Sequence, residues 1–131
     1  MERAADLILR VTLPVRAGTR AAYRRWNRVS CDLSVLGAAA AFRIEGGLVT
    51  GLRLALGGLG PKARRFPALE ALFEGSPPLS RDEIEETVAP HLRPIDDLRA
   101  SASFKRRRGS QLAAEAIVDA LKAGDLWEAR S

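Results

Sequence analysis

A Gly-Gly pair at positions 46 and 47 separates two apolar runs, residues 33–44 and 48–56, within the stretch DLSVLGAAAAFRIEGGLVTGLRLALGGLG (32–60). Two glycines between strand-like runs predict a tight β-hairpin, because both turn positions adopt positive φ without a Cβ clash. Bulk is unequally divided along the runs. Even positions carry Leu36, Phe42, Ile44, Leu48, Leu52, Leu54 and Leu56, interrupted by Ala38, Ala40 and Thr50. Odd positions carry Gly37, Ala39, Ala41, Gly51, Ala55 and Gly57, with Arg43 and Arg53. Strand side chains alternate between faces, so one face is predicted to be bulky, apolar and buried against helices, and the other thin and part-charged. A thin face either lets another backbone or a flat ligand approach closely or is simply solvated, and both readings stay open here.

The rest of the chain is arranged around this hairpin. DLILRVTL (6–13) predicts a strand ended by Pro14, which cannot donate to a ladder. Ala17-Gly18-Thr19 is a turn, and AAYRRWNRVSC (21–31), aromatic and basic without a helical stripe, is predicted extended and semi-exposed. Gly57-Gly58-Leu59-Gly60-Pro61 closes the hairpin. Pro67 suits the first residue of a short helix running to about Phe73 and stopped by Gly75. Ser80 and Glu83 form a capping box, with Asp82, Glu83, Glu85 and Glu86 near the start of a helix whose Ile84 and Val88 face inward before Pro90. Residues 93–99 connect to a last helix from about Ser101 to Lys122, striped by Leu112, Ala113, Ala116, Ile117, Ala120 and Leu121 and stopped at Gly124. Gly109 inside it costs about 1 kcal/mol against Ala. Strands precede helices, which predicts an α+β fold: a small antiparallel sheet of three or four strands followed by three helices packed on one face. At 131 residues the chain is expected to be a single domain over 1–131.

Charge narrows the partners. The formal net charge is +5, and most of the surplus lies early, where Arg3, Arg10, Arg16, Arg20, Arg24, Arg25 and Arg28 face only Glu2 and Asp6. Smaller basic knots stand at 62–65 and 105–108. Such an excess predicts an anionic partner (nucleic acid, a phosphate-bearing cofactor or an acidic protein surface) or serves solubility alone. The single Cys31 cannot form an internal disulfide, no apolar run reaches membrane-spanning length, and no leader pattern opens the chain, so a cytoplasmic, non-membrane protein is expected. Catalytic and metal-binding residues are not expected. His91, beside Pro90, fits a surface or capping role; Cys31 has no companion ligand; Asp96 and Asp97 fit pairing with Arg99 or a helix N-terminus. The Gly57–Lys62 stretch lacks the rest of a phosphate-binding loop and fits a bend. Lys105-Arg106-Arg107-Arg108 spans about one helical turn with only Phe104 nearby, which fits a solvated face better than a nucleic-acid patch.

Three stretches, DLILRVTLP (6–14), YRRWNRVSCDLSVLGAAAAF (23–42) running into LRLALGGLGPKARR (52–65), and IDDLRASASFKRRRGSQLAAEAI (95–117), together resemble one family. It is the C-terminal domain of the FAD-binding subunit of molybdenum hydroxylases, the carbon monoxide dehydrogenase and xanthine dehydrogenase medium subunit. The resemblance rests on an aromatic-basic pair, a further Arg and an Asp-Leu before an apolar strand. It also rests on a Gly-Gly after the next strand, and on Asp97, Arg99, Ala100, Ser101, Ala102, Phe104 and Lys105 opening the last helix. It implies the same fold, and a role in closing over FAD held by two preceding domains and in docking the iron–sulfur and molybdopterin subunits. It further implies cofactor-facing positions at Tyr23, Arg24, Arg28 and Asp32, with Arg28 pairing with Asp32 as the plain structural alternative. Asp97 and Arg99 are expected to brace the helix start. The family's glycine-rich phosphate loops belong to its upstream domains and have no counterpart here, so tight FAD binding by this chain alone is not expected; the chain is a domain fragment, a split subunit or a stand-alone descendant. Two rival classes are a small basic nucleic-acid-binding module and a pure subunit-assembly domain.

Overall fold

The computed structural model describes residues 6–29 and 33–124. Four strands, β1 (Arg20–Trp26), β2 (Leu36–Glu45), β3 (Leu48–Gly57) and β4 (Arg64–Arg65), form one antiparallel meander in that spatial order. Three helices follow, α1 (Pro67–Phe73), α2 (Arg81–Val88) and α3 (Ala102–Ala123), with a 3₁₀ turn at Ala89–His91. The expected α+β order is therefore observed. The sheet reaches four strands because the Arg-rich stretch at 20–26 and the two-residue β4 flank the hairpin.

Gly46 and Gly47 take φ of 59° and 77°, so both turn positions sit where only glycine is unstrained. Along most of the hairpin the even positions are buried, as predicted: Leu36, Ala38, Ala40 and Phe42 on β2, and Leu52, Leu54 and Leu56 on β3. Toward the tip the parity reverses. Ala41 pairs with Arg53 but Arg43 pairs with Thr50, so β3 carries one extra residue, and Gly51 has a φ of 66°. This glycine bulge turns Val49 inward and leaves Leu48, expected on the apolar face, 40% exposed.

All three helices cover the bulky face. α3 lies across β1 and β2, α1 packs on β3, and α2 packs on α3. The stripe expected on the last helix is the one that buries, with Leu112, Ala113, Ala116, Ile117 and Ala120 in the core and Leu121 at its margin. Small alanines there let a 22-residue helix approach the sheet closely. Gly109 has a packing reason: a Cβ there would lie 3.3 Å from Leu92 Cδ1 and 3.4 Å from Leu59 Cδ2. Trp26 at the end of β1 meets Phe104 on α3 with ring centroids 5.0 Å apart, tying the two elements at one end. At the other end Arg20 Nη1 donates to Leu121 O at 2.7 Å and Arg24 Nε donates to Asp119.

The edge of β3 beyond the short β4 is closed by α1 and the residues after it. Glu70 Oε1 accepts from Leu54 N at 2.9 Å, and Glu74 Oε2 accepts from Gly51 N at 2.8 Å. Val49 N donates to Ser76 O and Gly75 N to Val49 O, each at 2.8 Å. Glu70 is buried and also takes a forked contact from Arg65, at 3.1 and 2.6 Å. Burial pushes its pKa up, but the Arg65 guanidinium and the Leu54 amide outweigh it and hold the carboxyl below its ordinary value.

One predicted element is absent. Residues 6–13 belong to no ladder and are exposed throughout. Alternation specifies which side of a strand is apolar, but a strand persists only where a neighbour takes its backbone hydrogen bonds.

Gly58 carries the tightest backbone approach, with a φ of 87° and a notional Cβ only 2.0 Å from Val35 O. Gly58→Ala is expected to lower the unfolding free energy by about 2 kcal/mol or more, whereas Gly60→Ala, where a Cβ meets nothing, changes it by less than about 0.5 kcal/mol. Denaturant unfolding of the two variants checks the contrast.

Candidate functional site

The helices leave the thin side of the sheet uncovered. Register places Tyr23, Ala39, Ala55 and Arg65 in one row across all four strands. Ala21, Ala41 and Arg53 form the row on one side of it, and Arg25, Gly37 and Gly57 the row on the other. The middle of this face has no side chain larger than a methyl group. It is bounded at one edge by an aromatic and at the other by guanidinium groups, about 14 Å away across three strand spacings. Over it lies a shallow recess of about 460 Å³ floored by Ala39, Ala41 and Ala55 and walled by Tyr23, Arg53 and Arg65. A second recess, of about 280 Å³, continues past Tyr23 over Gly37 and Gly57.

Tyr23 is 61% exposed and its ring reaches diagonally across β2. A Cβ on Gly37 would stand 2.8 Å from Tyr23 Oη and 3.3 Å from its Cε2, so the glycine is what lets the ring lie down against the strand. One flat side of the ring is supported and the other is available.

The four positions marked by the family resemblance do not all gather there. Tyr23 is on the open face. Arg24, the next residue, necessarily points to the other one, where Asp119 of α3 binds it and raises its pKa through a hydrogen bond and charge attraction. Arg28 lies exposed in the bend after β1. Asp32, and with it the alternative Arg28–Asp32 pair, lies outside the described residues, as does Cys31. Arg25 and Arg53 supply the face's positive charge, Arg65 being paired with Glu70. The odd-position count had exposed Arg53, but nothing local in the sequence connected it with Tyr23.

The acidic pair and basic knot near α3 have structural work. Asp97 Oδ1 accepts from Arg99 N at 2.9 Å and Ala100 N at 3.0 Å, and its Oδ2 accepts from Lys105 Nζ at 2.6 Å. Asp96 Oδ1 takes Ala102 N, and Ser101 Oγ takes Phe104 N at 3.2 Å, so three consecutive polar devices start the helix. Lys105, expected on a solvated face, is fully buried. Its knot is consumed within the domain. Arg106 donates to Leu92 O, Arg107 stands over the Phe104 ring at 5.8 Å, and Arg108 binds Gln111 and Glu115. His91 Nδ1 meets Thr87 O at 3.0 Å, in keeping with a role at a helix end. Among the described residues no group of three or more His, Cys, Asp or Glu is placed to hold a metal ion, and no helix is long and apolar enough to cross a membrane.

A four-stranded meander with all helices on one side and a small-residue face left open on the other defines an α+β domain. Residues 21–120 match the family described as CO dehydrogenase flavoprotein C-terminal domain, and the chain belongs to that family. Carbon monoxide dehydrogenase from Hydrogenophaga pseudoflava, solved without the molybdopyranopterin moiety, aligns at 29% identity and a TM-score of 0.72 over 82% of this chain and 38% of that one. Quinoline 2-oxidoreductase from Pseudomonas putida 86 aligns at 18% identity and a TM-score of 0.71, over 80% of this chain and 38% of that one. Reconstituted CO dehydrogenase from Oligotropha carboxidovorans gives 18% identity and a TM-score of 0.68, over 79% and 37%. At such identities the last two show the fold alone. The chain spans less than two fifths of the length of each of these structures. No curated protein matches the sequence.

Hydrogen bonds from Lys105, Ala100 and Arg99 pull the Asp97 pKa from 3.8 to about 2. A carboxylate whose pKa is lower folded than unfolded contributes stability above pH 3.8, and that contribution is lost as the pH falls through about 2. Asp97→Asn is therefore expected to flatten this acid limb of thermal stability. It also lowers the Tm at neutral pH, because the Lys105 ammonium is left buried without its anion. Lys105→Met flattens the same limb with a smaller neutral-pH loss. Thermal melts from pH 2 to 7 compare the three proteins.

Proposed function

We propose that the chain is an accessory C-terminal domain of the FAD subunit of a molybdenum-hydroxylase-type oxidoreductase, closing over FAD held by other domains. The observation that carries this reading is the family match over 21–120 on a fold whose uncovered face is flat, apolar in the middle and basic at its rim. FAD, where bound, supplies the electron-transfer chemistry. The residues of this chain are suited to receive one side of a planar ring system: Ala39 and Ala55 permit close approach, and Tyr23 offers a free aromatic face. Arg53, and Arg28 in the bend at the opposite end of β1, favour a negatively charged reduced flavin or its phosphates. Arg24, committed to Asp119, acts by holding β1 against α3. Iron–sulfur and molybdopterin subunits are the further partners of such an assembly, and tight FAD binding by this domain alone is not expected. The nucleic-acid alternative loses support because the 105–108 knot is engaged within the fold.

The test adds this chain to a separately produced FAD-loaded portion of the Hydrogenophaga pseudoflava CO dehydrogenase flavoprotein, the part that precedes the matched domain. Co-elution and a fall in flavin fluorescence are expected, and Tyr23→Ala should weaken binding about tenfold, the scale of losing one well-packed aromatic contact. Gly37→Ala, which displaces the Tyr23 ring while leaving the core untouched, should weaken it with little change in Tm. Unchanged fluorescence together with separate elution overturns the proposal, as does equal or tighter binding to duplex DNA at low salt.

A further inference from the structure

At one corner the bulky side of the sheet opens outward. Register pairs Leu56 with Arg64 and Ala55 with Arg65, so Arg64 continues the bulky row onto β4 while Arg65 joins the thin side. Beside Arg64 lies a recess of about 410 Å³, bounded by the end of β3, the loop at 59–62, the start of α1 and the segment 91–95. Its floor is apolar: Leu56, Leu59 and Leu69 are buried, Phe66 is half-buried, and Ile95 stands half-exposed at the side. The recess over Ala39 and Ala55 shares only Arg65 with it.

We propose that this corner recess binds a small organic anion, a compact apolar body carrying a carboxylate or phosphate group. The body lies on Leu56, Leu59 and Phe66, and the anionic group meets Arg64 and Arg93. A guanidinium presents paired N–H donors whose spacing matches two oxygens of either group. The site stands apart from the face assigned to the flavin and does not depend on that reading.

Charge, commitment and size select that occupant. The lining includes Lys62, Arg64, Arg65 and Arg93 and no Asp or Glu. Arg65 is taken by Glu70, but Arg64 is exposed, and among the described residues its side chain has no hydrogen-bond or ion-pair partner. Arg93 commits one nitrogen, Nη1, to Pro90 O and Leu92 O at 2.5 and 3.0 Å, which positions the guanidinium and leaves Nε and Nη2 to donate elsewhere. The knot at 105–108 differs, since Lys105 and Arg108 already have carboxylate partners within the domain. A volume of this size, apolar below with a few polar groups at its rim, falls in the range of about 300–1,000 Å³ typical of small-molecule sites. Its walls are tied in place: Ile95 N donates to Leu59 O at 3.0 Å and Phe66 N to Leu54 O at 3.3 Å, so little ordering is needed on binding. A second copy of the chain would bring its own net charge of +5 toward these cations.

The experiment titrates the whole chain at low ionic strength with naphthoate, naphthyl phosphate, the neutral naphthalenemethanol and inorganic phosphate, following amide chemical shifts. The expected result is saturable binding of an aromatic anion with shifts at 59–66 and 91–95, the tighter of the two anions identifying the head group. Naphthalenemethanol and inorganic phosphate should bind at least tenfold more weakly. Arg64→Gln, an exposed change that leaves Tm unaltered, should weaken the anion about tenfold, the scale of one hydrogen bond to a charged group. Arg10→Gln removes the same charge from an exposed segment and should leave binding unchanged. Equal binding of the neutral compound, of inorganic phosphate or by Arg64→Gln overturns the site, as do shifts at Ala39 and Ala55 in place of 59–66. Failure of both aromatic anions to saturate by about 1 mM overturns it as well. Dimerisation in sedimentation with concentration-dependent shifts at 59–66 in the chain alone assigns the recess to a second copy and also overturns the inference.

Discussion

Neighbouring residues on a strand cannot point the same way, and in this domain that rule separates scaffold from surface. The parity of Arg20, Ala22, Arg24 and Trp26 matches the bulky parity of β2, so β1 presents these residues to α3, while Ala21, Tyr23 and Arg25 join the thin side. Every helix lands on the bulky side because only that side has apolar volume to bury. The opposite side keeps its flatness as a result. Arg24 and Tyr23 therefore belong to different halves of the same design: one fastens the strand, the other furnishes the surface.

Much of this was legible in the sequence because it was local. The Gly46-Gly47 turn, the Pro67 helix start, the Ser80–Glu83 capping box and the alanine-rich stripe of α3 each depend on residues within one or two turns of chain, and each is found where expected. In the capping box Ser80 Oγ accepts from Glu83 N at 3.4 Å and Glu83 Oε2 from Ser80 N at 2.8 Å. What escaped was non-local. The bulge at Gly51 is defined by register against Arg43, so a period counted along one strand missed it and misplaced Leu48. Lys105 looked like part of a solvated basic run because burial of an ammonium depends on Asp97 eight residues earlier, folded back by the turn through Arg99 and Ala100. The DLILRVTL segment shows the converse case, in which local pattern is correct about side but silent about neighbour. Of the candidate site, Tyr23 and the alanine face were visible as types of residue, whereas the row joining Tyr23 to Arg65 exists only once four strands are aligned.

The two ends of the sheet are treated differently, and this governs how the protein behaves when many copies are made at once. Along β3 the exposed amides and carbonyls are already occupied by Glu70, Glu74 and residues 75–76, so among the described residues β1 is the long unoccupied border, β4 being only two residues. Fibril growth requires every added unit to offer a fresh border on its far side. A molecule blocked on one flank instead acts as a chain terminator. Edge-to-edge pairing of the folded sheet through β1 therefore stops at two molecules.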